Sequence, residues 1–234
     1  MGANAVTTVP VYTAGEVLTA ADLNITNSGI PVFATTTTRD AAFGGTGEKT
    51  LAEGQMAYVE ANKMTQYYDG SSWINLGGLA EVVGETAFSA ASTIQVNNCF
   101  TSAFTNYLIQ FRFTTFSMNS QGAYIRESVG GTPGATDYSF QQFVQTSTTL
   151  TGFQNLTDTQ HGIVQTNSTG AFVTVNVFGP QLAANTFFNS IALGNNRQEY
   201  NSSRHANTTQ YDGFYVFLSG GTMTGTYTVY GYAK

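Results

Sequence analysis

Bond chemistry in this chain could rest on two histidines, His161 and His205, one cysteine, Cys99, and a few carboxylates. His161 closes the run Asp158-Thr159-Gln160-His161. Two donors at that spacing could begin a metal site, but a zinc centre needs three or four converging ligands. Both histidines are therefore expected as polar surface side chains. Acyl-transfer chemistry of the Ser-His-Asp kind lacks its Gly-x-Ser-x-Gly elbow here. Glu127, Asp137 and Asp158 could supply a carboxylate pair for glycoside cleavage, a reaction set by their separation in space. Cys99 lies beside Phe100 and is read as a buried, inert thiol. The chain is read as non-enzymatic, with no catalytic residue, cofactor or metal assigned.

One segment has a different character. Residues 195–207 hold Arg197, Tyr200, Arg204 and His205 among many amides and hydroxyls. Arg, aromatic rings and amides are the groups that bind sugar hydroxyls and ring faces. Loops at the end of a sandwich are where such contacts collect. Ligand contact is expected at Arg197, Tyr200, Arg204 and His205. The alternatives for this segment are a solvated loop or a strand facing a neighbouring subunit.

The elements that must position these residues are strands. Charged residues make up 9% of the chain, while hydrophobic residues make up 41% and aromatics 13%. Exposed helix faces use Lys and Glu heavily, so their scarcity disfavours a helical protein. A net charge of −6 with only 8 Lys plus Arg gives no basic face for a phosphate backbone, so nucleic acid is not expected as a partner. No apolar run reaches the ~18 residues of a membrane span, and Met1–Val6 lacks the features of a leader peptide. Folding in a cytoplasm without membrane insertion is expected.

Residues 1–78 are expected to form an extended arm, a short helix through Asp22 and Leu23 capped by Thr19, and a small β-meander. A helical turn is expected at Arg39–Phe43, capped by Thr37 or Thr38. Meander strands are expected at 55–59, 64–68 and 73–76, with Asp69-Gly70 turning the last hairpin and Trp73 packing with Tyr67 and Tyr68. Gly77–Ala80 reads as a linker. Residues 79–234 then alternate apolar and polar in the manner of strands. The clearest cases are Tyr107-Ile109-Phe111-Phe113 and the closing run Thr222–Lys234. Further strands are expected at 86–88, 93–99, 122–127, 138–144, 162–166, 171–178, 186–193 and 213–218. Phe214–Leu218, apolar throughout, is expected to be buried on both sides. The fold class expected is mainly β, with a jelly-roll-like antiparallel β-sandwich. Tyr107–Thr114 and the closing run are expected to be neighbours.

Several short motifs carry a resemblance. They are Thr13–Asn24, Thr38-Arg39-Asp40-Ala41-Ala42, Glu53–Val59 and Gln66–Trp73. In that order they resemble the particle-facing module of tailed-phage tail fibres and related minor virion proteins. The C-terminal half resembles the sandwich that ends such chains, as a pattern more than as a sequence. The resemblance implies a virion protein assembled in the host cytoplasm. Residues 1–78 would contact other virion proteins and 79–234 would bind a host-surface glycan, and the resemblance also implies a homotrimer. A capsid decoration or head-fibre protein is the first alternative and a glycan-cleaving enzyme the second.

Overall fold

The computed structural model describes residues 7, 9, 15, 17, 29–45, 48–194 and 197–232. The helix expected through Asp22 and Leu23 lies outside them, as does most of the extended arm. Contacts divide the chain into two units, the first up to Ala80 and the second from Glu81 to Tyr232.

In the first unit, four strands form one sheet in chain order: β1 (Val32–Phe33), β2 (Met56–Val59), β3 (Met64–Tyr68) and β4 (Trp73–Asn75). The helical turn between β1 and β2, α1, spans Thr36–Asp40 and is capped by Thr35, whose hydroxyl accepts from the Thr38 N–H. This cap lies two to three residues before the expected one. Within a run of four threonines, the one in extended conformation (Thr35, φ −141°) takes the cap. Arg39 is buried, bonds the Gln66 side chain and lies 4.7 Å above the Trp73 ring. Trp73 also meets Tyr68 at 5.6 Å and Phe43 at 5.9 Å. The mini-core around Trp73 is therefore present in part: Tyr68, Phe43 and Arg39 meet Trp73, while Tyr67 lies opposite Ile74 on the other face of the strand pair. Asp69 closes the β3–β4 turn by accepting from the N–H groups of Ser71 and Ser72. Those bonds hold its carboxyl below the usual range, Ser71 contributing most.

The second unit is an antiparallel β-sandwich. Its strands are β5 (Leu79–Ala91), β6 (Thr93–Val96), β7 (Asn106–Phe116), β8 (Gly122–Val129), β9 (Thr132–Pro133), β10 (Tyr138–Thr146), β11 (Thr149–Asp158), β12 (His161–Gln165), β13 (Ala171–Phe178), β14 (Thr186–Gly194), β15 (Arg197–His205), β16 (Gly213–Leu218) and β17 (Met223–Tyr232). The larger sheet runs β11-β10-β15-β14-β13-β7-β17-β5, and the smaller runs β12-β8-β16-β6 with β9 beside β8. β17 pairs β7 from Met223↔Phe116 to Gly231↔Tyr107, so the expected pairing of the closing strand holds. Inward residues of β7 (Tyr107, Ile109, Phe111, Phe113), β13 (Val173, Val175, Val177) and β17 (Tyr227, Val229) meet Ile125, Phe214 and Val216 of the smaller sheet. Alternation of period two thus builds one apolar layer between two sheets.

Three expectations change. The boundary between the units falls after Ala80, at the end of the expected linker, but Leu79 and Ala80 are already in extended strand conformation as the start of β5. β16 is dry on one side only. Tyr215 and Phe217 stand half-buried on the outer face, with Arg126 4.5 Å above Phe217 and Tyr124 at 5.4 Å. β11 lies where no strand was expected, and residues 197–205 form a strand, β15, which stood only as an alternative to a loop. At Gly170, φ is +80° and a Cβ would sit 2.2 Å from the Phe113 carbonyl oxygen, so the turn into β13 closes only around a glycine.

Candidate functional site

The two sheets are unequal in width, and this makes a cleft. β12, the edge of the smaller sheet, packs over β15 and β14. β10 and β11 therefore overhang it. Between the overhang and β12 lies a groove of about 390 Å³. β15 supplies its floor with Arg197 and Glu199, β10 with Phe140 and Gln142. Phe153 and Asp158 of β11 form one wall. Tyr124 of β8 and Gln160, just before β12, form the other.

The floor is held by one buried carboxylate. Glu199 is 1% exposed. Its Oε1 accepts from Arg197 Nε at 2.7 Å and from the Gln165 backbone N–H at 2.8 Å, and its Oε2 accepts from Gln142 Nε2 at 2.7 Å. One side chain thus ties β15 to β10 and β12 and fixes the heads of Arg197 and Gln142 in the cleft. Charge-assisted bonds of this kind are short and directional. Along the wall, Asp158 accepts from Asn155 Nδ2 and from the Thr159 N–H, while Gln160 Oε1 accepts from Arg126 Nη2 and the Thr159 hydroxyl. Burial raises the Tyr124 phenol above its usual range, and the nearby Asp158 charge adds to the effect. The cleft therefore offers fixed amide, guanidinium and carboxylate groups beside the rings of Phe140, Phe153 and Tyr124. That combination suits a neutral polyol with an apolar ring face.

The four residues expected to contact ligand are split by their own strand. Residues 197–205 form β15, in the interior of the larger sheet between β10 and β14, and not a loop at the end of the sandwich. Alternation sends Arg197 and His205 to the inner face and Tyr200 and Arg204 to the outer face. Of the four, Arg197 lines the groove. Tyr200, 46% exposed, lies opposite Phe143 and Ile191 on the outer face. Arg204 and Phe187 face each other two rows further along the same face, past Ser202 and Asn189. His205 is 1% exposed and belongs to the core.

Both histidines are interior, against the expectation of surface polarity. Partners reward their burial. His161 Nδ1 lies 2.8 Å from the Ser203 hydroxyl and Nε2 3.0 Å from the Ser190 hydroxyl, and the ring stacks on Phe188. Complete burial drives its pKa down to about 3. His205 Nδ1 lies 2.7 Å from Glu127 Oε2, and its ring stacks 4.0 Å from Tyr138. Burial pushes the Glu127 carboxyl up, and His205 offsets part of that rise. Glu127 is 0% exposed, so it cannot share a glycan with the exposed Asp137 or with Asp158 at the groove. Among the described residues no three His, Cys, Asp or Glu side chains gather for a metal ion, and no helix is long and apolar enough to cross a membrane. Cys99 is buried as expected, its thiol pushed up to about 12 by burial.

No family model matches the chain. No curated protein matches it either. Among solved structures, it is similar to peanut lectin with a nine-residue peptide, at 14% identity over 68% of this chain and 88% of that one, with a TM-score of 0.18. It is also similar to the lectin from Bauhinia forficata in complex with GalNAc, at 10% identity over 72% and 87%, with a TM-score of 0.12. At those scores neither likeness bears on function.

Phe153, Gln142, Glu199 and Tyr124 escaped the sequence reading. Their signal was weak because the groove is assembled from five strands, β8, β10, β11, β12 and β15, that belong to two sheets.

Proposed function

We propose that this chain is a bacteriophage virion structural protein whose sandwich binds a host-surface glycan in the groove between β12 and the β10–β11 overhang. Binding is the whole mechanism, and no bond of the ligand is broken. The observation that carries the glycan reading is the Glu199 network, which holds Arg197 and Gln142 in a cleft walled by aromatic rings. Amide and guanidinium groups held in advance lose little entropy when they bind hydroxyls, and an aromatic face covers the apolar side of a sugar. Both carboxylates in the groove accept hydrogen bonds from neighbouring groups, as befits anchors. The virion part rests on the order of motifs in residues 13–73, which resembles that of the attachment module of tail fibres. In this reading residues 1–78 join the particle and 79–234 carry the groove. Copies assemble, as a homotrimer if the fibre resemblance extends so far, and several weak sites then act together.

The test is a printed array of bacterial surface polysaccharides, probed with the full chain and with Tyr124→Ala and Gln160→Ala. Saturable binding that both substitutions weaken supports the reading. Binding that neither changes removes the groove from it, and release of reducing ends from a bound polysaccharide replaces it with an enzyme. Immunogold labelling of purified particles tests the virion assignment, and unlabelled particles refute it.

A further inference from the structure

Among the described residues the two sheets end in β5, β11, β6 and β12, and three of these edges are protected in ways natural sheets use. β5 carries Glu81 and Glu85 within its thirteen residues. β6 is four residues long. β12 is occupied from the side: Glu199 accepts from the Gln165 N–H and Asn201 donates to the Ile163 carbonyl. The fourth edge, β11, is exposed along most of its length, and its one charge, Asp158, stands at its end. It is ten residues long, and Thr149–Thr157 contains no charge and no proline. Leu150, Phe153 and Leu156 are 67%, 56% and 66% exposed.

We infer that β11 is a self-association edge, on which the β11 of a second copy pairs antiparallel to continue the larger sheet across a two-fold axis. The sequence is self-complementary in one register. With the axis at Phe153, that residue faces its own counterpart, Thr151 faces Asn155 and Leu150 of each copy lies beside Leu156 of the other. Opposed residues share a face, so Leu150 and Leu156 meet on the outer face and Phe153 on the inner one, where it lies 6.3 Å from Phe140. The ladder to β10 is regular from Thr149 to Asn155 and shifts beyond it, so Thr151–Asn155 forms the regular part of the new pairing. No like charges are brought together.

Size also points to a second copy. Taking ~200 Å² for a large apolar residue, the three exposed side chains present about 380 Å² per copy. The ladder and the flanking threonines and glutamines bring each side toward the ~800 Å² of a standard interface. Phe143, opposite Gly152 and 56% exposed, extends the apolar rim. The axis is perpendicular to the sheet, so both grooves open on the same side, each next to a Phe153. A two-fold dimer differs from the threefold assembly the fibre resemblance implies, and the experiment separates them.

Sedimentation equilibrium of the full chain is expected to show a monomer–dimer equilibrium in the micromolar range. Phe153→Glu puts like charges opposite each other and removes an apolar contact, weakening the dimer ~10–100-fold while circular dichroism keeps its β signature. Phe153→Cys tests the register, because residues opposed across a ladder meet the Cα spacing of a disulfide. Under mild oxidation it should give a crosslinked dimer, and Thr149→Cys, far from its counterpart, should not. A monomer at 100 µM, a trimer, or equal crosslinking at both positions overturns the inference. Polysaccharide binding by Tyr124→Ala is scored separately, so loss of pairing and loss of the groove reading are distinguishable.

Discussion

Lowering the pH from 7 to 4 protonates histidine in an unfolded chain but leaves His161 neutral in the folded one. Its ring is 0% exposed, held between the hydroxyls of Ser190 and Ser203, with a pKa near 3 against 6.5 in solvent. Below pH 6.5 the unfolded state binds a proton the native state refuses, so stability falls as the pH falls. The decline continues to about pH 3, where the native ring is protonated as well. The slope is about 1.4 kcal/mol per pH unit, so about 3 kcal/mol is lost by pH 4. Against a total of roughly 5–15 kcal/mol for a folded domain, that is a large share. Other groups titrate in the same range, so the wild-type curve alone does not isolate His161. The assay is urea unfolding at pH 7, 6, 5 and 4 for the wild type and for His161→Gln, which keeps a hydrogen-bonding group but cannot titrate. The variant is less stable at pH 7. The difference between the two proteins should shrink by about 1.4 kcal/mol for each unit below 6.5. A difference that stays constant with pH refutes the argument, because it means that His161 takes up its proton equally in both states.

Three further outcomes follow from named contacts. Glu199→Ala strips the acceptor from Arg197, Gln142 and the Gln165 N–H; urea unfolding should show a loss of about 2–4 kcal/mol, and Glu199→Gln a smaller one. Gly170→Ala should lower stability by at least about 2 kcal/mol, read as a drop in Tm, because the added Cβ meets the Phe113 and Thr114 carbonyls at 2.2 and 2.9 Å. Removing residues 227–234 takes Tyr227 and Val229 from the core and uncovers β7; the product should lack a cooperative thermal transition, and a soluble, cooperatively folding product contradicts the placement of β17.

The sandwich was legible where apolar residues alternate with polar ones. β7, β13, β16 and β17 each read from the sequence to within two residues of their ends, since one face of each is dry. β15 stood only as an alternative to a loop because its inward residues are Glu199, Asn201, Ser203 and His205. Their burial depends on partners from β8, β10 and β12, which no local pattern records. β11 was missed for the opposite reason. Both its faces are largely exposed, so burial imposes no alternation, and its apolar residues fall three apart at 150, 153 and 156. The same gap explains the site. Arg197 was singled out for its chemistry, but Glu199, which aims it, reads as one more polar residue. Tyr200 and Arg204 were grouped with Arg197 by proximity in sequence, and a strand sends such neighbours to opposite faces. In the first unit, the Arg39, Trp73 and Asp69 positions of the resembling motifs proved to be packing and turn residues.

Titration calorimetry with the polysaccharide that binds best on the array tests the groove most directly. Wild type should bind it with measurable affinity. Tyr124→Ala and Gln160→Ala should each weaken binding about 10-fold or more, in line with one lost contact of about 1.4 kcal/mol. Tyr200→Ala and Arg204→Ala, on the outer face, should bind as the wild type does. The reverse pattern, with outer-face substitutions abolishing binding and groove substitutions leaving it intact, contradicts the assignment of the site.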